Sequence, residues 1–205
     1  MQKILKTIGI VLLSILAIFI LLLVAVFIKT RIWRNSFEES IRSEYVVNSI
    51  VESKNIINEK LEIYILSEEE VDFVEFSPKE ISQYLFNILT EMTDGTSINI
   101  LEIYTRPEDN IWNICGLVNI SRLAKISSWV CIDVTKDSTQ TAQLYVKNIT
   151  IDGINIGKIY PPILTKINQG IAEALVTANE NGFVGRILEN IELQKTKVVI
   201  KGSIY

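Results

Sequence analysis

The first of several apolar patterns along this chain is an unbroken run near the N-terminus. It extends over 21 residues from Ile8 to Ile28, and Ser14 is its only clearly polar side chain. A helix of that length rises about 1.5 Å per residue and covers roughly 31 Å, which matches the roughly 30 Å hydrocarbon core of a bilayer. The pattern therefore predicts one transmembrane helix over residues 8–28, after a short tail, residues 1–7.

A cleaved secretory signal is the alternative, because Lys3 and Lys6 give the run a basic start. A signal has an apolar core of about 7–15 residues followed by small residues, whereas this run is longer and ends in mostly bulky side chains. We therefore predict an uncleaved anchor in the cell membrane. Basic residues flank both ends, so charge favours neither orientation strongly. We expect a cytoplasmic N-terminus and an extracytoplasmic C-terminal domain, with an interfacial anchor formed by Trp33, Lys29, Arg31 and Arg34.

The next pattern has helical spacing. Ser36 and Glu39 are spaced as a capping box, which predicts a helix start. Apolar side chains then recur three and four residues apart as far as about Asn55, which is typical of an amphipathic helix. We predict a juxtamembrane or stalk helix within residues 29–60. Its apolar stripe is expected to pack on the chain's own domain, and self-association is the alternative.

Residues 61–205 alternate between strand and helix patterns. Leu61–Leu66 and Val71–Phe76 are predicted as short strands. Ser77-Pro78-Lys79-Glu80 combines an N-cap serine, a proline at the first helical position and a closing glutamate, so a helix is predicted to begin there. A second helix is predicted to begin at Pro161-Pro162, and Gly170 within it suggests close approach of another backbone.

Most of the remaining segments have strand patterns and are joined by short polar connections. Such short connections are typical of neighbouring antiparallel strands. The predicted strands are Ile98–Thr105, Ile111–Ile120, Ser128–Val134, Thr141–Ile151, and a final hairpin of Ile187–Gln194 with Val198–Tyr205. The predicted fold class is therefore α+β: one N-terminal transmembrane helix, then an antiparallel meander sheet packed against two or three amphipathic helices. Residues 61–205 are expected to form one extracytoplasmic domain.

The apolar faces of the two later helices are the candidate binding residues. Such stripes ordinarily face a core, but they can also line an apolar pocket. We predict that a possible groove is lined by Ile81, Tyr84, Leu85, Ile88, Leu164, Ile167 and Ile171.

Two cysteines, Cys115 and Cys131, lie in neighbouring predicted strands. A hairpin centred near Leu123 would place them opposite each other, and a cross-strand disulfide would suit an oxidising compartment. The alternative is a pair of small buried apolar residues. Two cysteines without CxxC spacing do not suggest a zinc site, and no metal or cofactor is expected.

Charge and composition argue against several functions. Residues 35–205 carry 15 basic and 24 acidic side chains, a net charge of −9 that disfavours nucleic acid as a partner. The chain has no histidine, so serine triads and the commonest metal ligand are absent. It also has no GxSxG, GxxxxGK[ST] or GxGxxG motif. We therefore predict a protein that is not an enzyme and assign no catalytic residue.

Residues 76–85 (FSPKEISQYL) and 146–167 (VKNITIDGINIGKIYPPILTKI) resemble two landmarks of the YpmS-like family of bacterial membrane-anchored proteins. That family has a Ser-x-x-Glu-Leu-Asn-like helix start and a strand ending in Ile-Gly-x-Leu-x-Leu-Pro that opens a helix. This chain departs at Ile81-Ser82 and at Tyr160, which precedes two prolines. The resemblance covers about residues 70–204 and implies an uncharacterised extracytoplasmic domain without known catalytic residues.

Two functions follow as expectations. The first is a binding or scaffolding domain at the membrane surface, with an apolar groove for a lipid or a peptide. The second is a structural subunit that joins a membrane protein complex through the anchor and stalk helix. Membrane lipid or a membrane protein is the expected partner in either case.

Overall fold

The fold is described from a computed structural model, which describes residues 2–50, 54–120, 126–136, 144–180 and 186–204. The chain divides into two compact units, Met1–Ser40 and Ile41–Tyr205. The first unit is a long apolar helix, and the second combines antiparallel sheets with several helices. The predicted α+β class is therefore confirmed.

Helix α1, Gln2–Ser40, contains 39 residues. Its described part from Ser14 onward is long and apolar enough to cross a membrane, judged by length and composition. The helix continues through Ser36, so the prediction that a new helix starts there is wrong. No glycine or proline interrupts residues 29–40, and a serine and glutamate three residues apart do not end a helix that has already formed.

The predicted interfacial anchor residues all lie on the last third of α1. Lys29 and Arg31 are exposed, whereas Trp33 and Arg34 are half-buried. Two of them are held by neighbours one turn further along: Trp33 stacks on Phe37 with ring centroids 4.8 Å apart, and Arg34 pairs with Glu38 at 2.8 Å. These i,i+4 contacts support a continuous helix in this stretch.

The prediction of a single stalk helix up to residues 55–60 is also wrong. A short 3₁₀ turn, Ser43–Tyr45, and strand β1, Val46–Val47, follow α1. Helix α2 is Lys54–Leu66, and it includes the segment Leu61–Leu66 that we predicted as a strand. Ile57, Leu61 and Tyr64 recur at helical spacing on its packed face. Burial of this stripe favours a helix more than the short apolar alternation of Leu61–Leu66 favours a strand.

The larger sheet, sheet A, confirms the predicted meander. Its long strands are β3 (Ile98–Glu108), β4 (Ile111–Ile120), β5 (Ile126–Lys136) and β6 (Leu144–Ile151). With β7 (Ile154–Asn155), the described strands follow the antiparallel order β1-β3-β4-β5-β6-β7. The connection around Leu123 lies outside the described residues. Asp152 and Gly153, with φ of 46° and 76°, form the two-residue turn into β7.

The smaller sheet, sheet B, has the described order β2-β9-β8 and is antiparallel. Strand β2 is Val71–Phe76, as predicted, and β8 (Arg186–Leu193) and β9 (Val198–Ile204) form the predicted final hairpin. The two sheets meet through Trp112, whose side chain packs among Leu188, Ile191 and Leu193 of sheet B. Its indole Nε1 donates to the Gln194 carbonyl at 2.9 Å, which satisfies the buried donor.

The remaining helices are α3 (Pro78–Thr93), α4 (Ile156–Ile159) and α5 (Pro162–Glu180). The capping box at the start of α3 is confirmed: the Glu80 amide donates to the Ser77 hydroxyl at 3.3 Å, and the Ser77 amide donates to Glu80 Oε2 at 2.7 Å. Helix α3 packs mainly on β3, and α5 packs mainly on β6.

A buried arginine fixes the end of α2 to sheet B. The side chain of Arg186 is 2% exposed, and its guanidinium donates to the carbonyls of Tyr64 (3.0 Å), Ser67 (2.6 Å) and Glu69 (3.0 Å). It also lies 4.9 Å from the Tyr64 ring centroid. A cation is favourable at a helix C-terminus, where carbonyls lack intrahelical partners. Burial raises the pKa of Tyr64, although the nearby Arg186 charge opposes this shift.

Candidate functional site

The candidate site is an apolar groove on the helix-bearing face of sheet A. Strand register identifies that face, since directly paired residues share a side of the sheet. Ile103, which packs against α3, pairs with Gly116, which in turn pairs with Val130. The same face of the central strands β4 and β5 therefore carries Ile114, Gly116, Val118, Val130 and Ile132, together with Ser128.

Helix α3 forms one wall of the groove. The Ser82 hydroxyl donates to the Thr105 hydroxyl of β3 at 2.8 Å, which fixes the side of α3 that faces the sheet. Gln83, about 100° further around the helix, donates to the Ser49 carbonyl beyond β1 and thereby marks the outer side. The opposite side of α3 faces the central strands. It carries Ile81, Leu85, Ile88 and Met92.

Helix α5 forms the other wall. Asn168 grips the outer edge of β6: its Oδ1 accepts from the Val146 amide at 2.6 Å, and its Nδ2 donates to the Val146 carbonyl at 2.9 Å. The side of α5 away from this edge contact carries Ile163, Ile167 and Ile171, which are half-buried. Asn168 thus covers an otherwise open strand edge and holds α5 over β6.

The spacing of the two walls follows from the sheet. Helices α3 and α5 lie over β3 and β6, which are three inter-strand steps apart, or about 14 Å at about 4.8 Å per step. Helices in direct contact have axes only about 8–10 Å apart. The difference of roughly 5 Å leaves a slot above β4 and β5 about as wide as one extended hydrocarbon chain.

The floor of the slot is incompletely covered. Ile114, Val118, Val130 and Ile132 are all half-buried, although they lie on the two central strands of the sheet. In a closed helix-on-sheet layer such central positions would be fully buried. One end of the slot is closed by the cluster around Trp112, which includes Ile81, Val134 and Leu175. We therefore take the face between α3 and α5 as the candidate groove, with the Trp112 cluster at one end.

Five of the seven predicted groove residues lie on the sides of α3 and α5 that face the central strands, and two do not. Ile88, Ile167 and Ile171 are half-buried wall residues, and Leu85 packs partly into the core below α3. Tyr84 is 39% exposed and lies on the solvent side of the α3 stripe. Leu164 packs under Gly157, where an added Cβ would lie 2.7 Å from Leu164 Cδ1, so it does not face the groove.

Gly170 does not meet another backbone, contrary to our prediction. A Cβ built at this position has no atom within 4 Å. The glycine is exposed and lies beside the groove wall rather than in a helix contact. The predicted close approach is therefore wrong, and the space next to α5 is open.

Sequence reasoning missed the floor of the groove. Both faces of β4 carry apolar side chains, Ile114 and Val118 on one side and Cys115 and Leu117 on the other. Alternation alone therefore does not show which face the helices cover. The Ser82–Thr105 hydrogen bond and the strand register supply that information in the structure.

The two cysteines lie beneath the floor. Cys115 and Cys131 are directly paired in register with Cα atoms 4.0 Å apart, and the structure joins them in a disulfide. Both are buried on the face opposite the groove, next to Tyr104 of β3. The disulfide therefore links the two strands that form the floor.

A polar cavity of about 550 Å³ lies where the β3–β4 turn meets sheet B. It is lined by Asp109, Asn110, Lys136, Tyr145, Asn190, Glu192, Leu193 and Gln194. Its charged groups are largely paired within the protein: Lys136 contacts Asn190, and Glu192 accepts from Asn190 and Gln194 at 3.0 Å each. Among the described residues, no cluster of His, Cys, Asp or Glu is arranged to hold a metal ion.

Comparisons with protein-family models, with curated proteins and with solved structures find no match to this chain. The resemblance to the YpmS-like family therefore stays a prediction.

Proposed function

We propose that this protein is a non-enzymatic lipid-binding domain, held at the outer face of the cell membrane by α1. Its ligand is one acyl chain of a membrane lipid, which lies between α3 and α5. The observation that carries the proposal is the half-buried apolar floor on β4 and β5, between two helices that pack mainly on β3 and β6.

A lipid chain suits the groove better than a peptide does. The described floor contains Ser128 as its one side chain with a hydrogen-bonding group, whereas a bound peptide would bring backbone N–H and C=O groups that need partners. A methylene chain needs none and gains about 0.8 kcal/mol for each buried CH₂ group. A groove with one closed end also suits a ligand with a polar head and an apolar tail.

Two features support the proposed location. Helix α1 provides an apolar segment with the length of a membrane span. The Cys115–Cys131 disulfide is of a kind that persists in oxidising compartments and is rare in the cytosol. Together they favour an N-terminus in the cytoplasm and a domain outside it, and protease added to intact spheroplasts should therefore digest residues beyond Ser40.

Photocrosslinking tests the groove directly. Full-length protein in phosphatidylcholine vesicles is photolysed with a diazirine-bearing fatty acid, and the crosslinked peptides are mapped by mass spectrometry. We expect crosslinks in β4 and β5 in addition to those in α1. Val118→Phe fills the floor and should reduce the β4 and β5 crosslinks at least tenfold. Leu117→Phe, on the opposite face of the same strand, should leave them unchanged within about twofold.

Label confined to α1 in the wild-type protein would contradict lipid binding. That outcome would favour the second function, a structural subunit of a membrane complex recruited through α1. Equal crosslinking of β4 and β5 in both variants would show that the lipid contacts the domain elsewhere than in the groove.

A further inference from the structure

Six large apolar or aromatic side chains are exposed on the strands and helices that bound the candidate groove. They are Met92 (71% exposed), Ile98 (40%), Ile120 (39%), Ile151 (38%), Ile159 (69%) and Tyr160 (56%). We call this set the rim. Single exposed apolar residues are ordinary on a protein surface, whereas several along one side of a fold are typical of an interaction surface.

Strand register fixes the positions of the three strand members of the rim. Ile98 begins β3 and pairs directly with Ile120, which ends β4. Ile151 ends β6 opposite Val130, which pairs with Gly116, so it lies four residues, or about 13 Å, further along the sheet than Ile120. All three lie on the groove face, since they share its alternation with Val118 and Val130.

The helices contribute the other members. Met92 lies in the last turn of α3, on the side that faces the groove. Ile159 is the last residue of α4, and Tyr160 follows it before α5 begins. Lys158, the residue before them, is exposed. The rim is therefore apolar and aromatic with an adjacent cation, a combination typical of protein surfaces that enter the headgroup region of a bilayer.

We propose that the rim inserts into the interface of the membrane that holds α1. The bilayer is the occupant favoured by the chain itself, because a covalently linked span keeps the domain at a high effective concentration beside lipid. Through this contact an acyl chain passes between membrane and groove without exposure to water. This last step rests on the proposed lipid-binding function, whereas the membrane contact does not.

Fluorescence quenching tests the contact in the full-length chain. The two native cysteines are disulfide-bonded, so a single introduced thiol can be labelled with an environment-sensitive fluorophore. Met92→Cys and Ile159→Cys place the label in the rim, and Lys201→Cys, exposed on the outer face of sheet B, is the control. In phosphatidylcholine vesicles containing doxyl-labelled lipid, we expect at least twofold stronger quenching at both rim positions than at the control.

The possible outcomes distinguish membrane contact by the rim from acyl-chain binding in the groove. Equal quenching at rim and control positions would overturn membrane contact by the rim, even if lipid crosslinks to β4 and β5. Energy transfer between rim labels on different molecules, without lipid quenching, would assign the rim to a second copy and also overturn the proposal. Strong rim quenching without crosslinks in β4 and β5 would retain the rim contact and reject the acyl-chain groove.

Discussion

Among the described residues, Arg186 illustrates how a buried charge can be satisfied without a carboxylate. Its guanidinium is held by three carbonyls at and beyond the end of α2, so the charge is compensated by the dipoles of a helix terminus. A planar fork with five N–H donors matches such an arrangement, whereas an ammonium group does not.

We expect Arg186→Met to lower the free energy of unfolding by about 3–5 kcal/mol, because it leaves the buried Tyr64 carbonyl and the partly buried Ser67 and Glu69 carbonyls without this donor. Arg186→Lys retains the charge but not the fork and should lose roughly half as much. Urea unfolding of the full-length protein in micelles measures both. Arg106→Met removes an exposed arginine paired with Glu108 at 3.7 Å and should change the free energy by less than about 0.5 kcal/mol. Similar losses at both positions would contradict the role of Arg186.

Glu80 makes the free energy of unfolding depend on pH. Burial raises its pKa, but hydrogen bonds from Lys60 and from Ser77 lower it by more, so the net pKa of Glu80 is below its usual value. A lowered folded-state pKa stabilises the fold above the unfolded-state value of about 4.3, and this contribution is lost as pH falls through the folded-state value.

At pH 7, Glu80→Gln should therefore lower the free energy of unfolding by about 1 kcal/mol, the usual value of a helix cap. The difference between wild type and variant should shrink as pH falls below the unfolded-state pKa, because folding then opposes protonation of Glu80. Urea unfolding from pH 7 to pH 3 measures it. Glu62→Gln, an exposed change on α2, should have little effect at any of these pH values. A wild-type advantage that grows on acidification would contradict the assigned sign.

At the scale of elements, the sequence predicted those segments whose signals are local. The Ser77–Glu80 capping box, the meander and the last hairpin depend on short-range patterns, and all are present. Helix α2 was missed because Leu61, Ile63 and Ile65 alternate like a strand. The helix is instead stabilised by Ile57, Leu61 and Tyr64, which pack in one cluster with Val74 and Phe76 of β2. The continuous α1 was missed because a capping box is informative only where a helix has not already begun.

The disulfide is the element-scale feature with the clearest energetic consequence. Cys115 and Cys131 are 16 residues apart, and a cross-link closing a loop of that size contributes about 3 kcal/mol in the loop-entropy model. Reduction should lower the free energy of unfolding by about that amount. The double variant Cys115→Ala, Cys131→Ala should show a similar loss and no further response to reductant. Two alkylatable thiols in protein denatured without reductant would contradict the bond.

At the scale of the whole molecule, the apolar stripes of α3 and α5 were predictable, and the number of strands between the two helices was not. The stripes on α3 and α5 identify Ile88, Ile167 and Ile171 as facing something apolar. Two such stripes can pack against each other, or they can lie on either side of a gap. Which of these occurs depends on how many strands separate the two helices. That number follows from long-range pairing of β3 to β6, which no local pattern encodes.

The separation of α3 and α5 by the two central strands β4 and β5 has a consequence for the proposed ligand. Because Ser82 and Asn168 hold the helices to β3 and β6, the distance between them is set in whole strand steps by the hydrogen bonds of the sheet. Exchanging wall side chains can change the depth of the groove but not this distance. In the proposed groove, a rigid fused-ring lipid, which is broader than one chain, can enter only if a helix leaves its strand, so we expect a preference for slender, flexible tails.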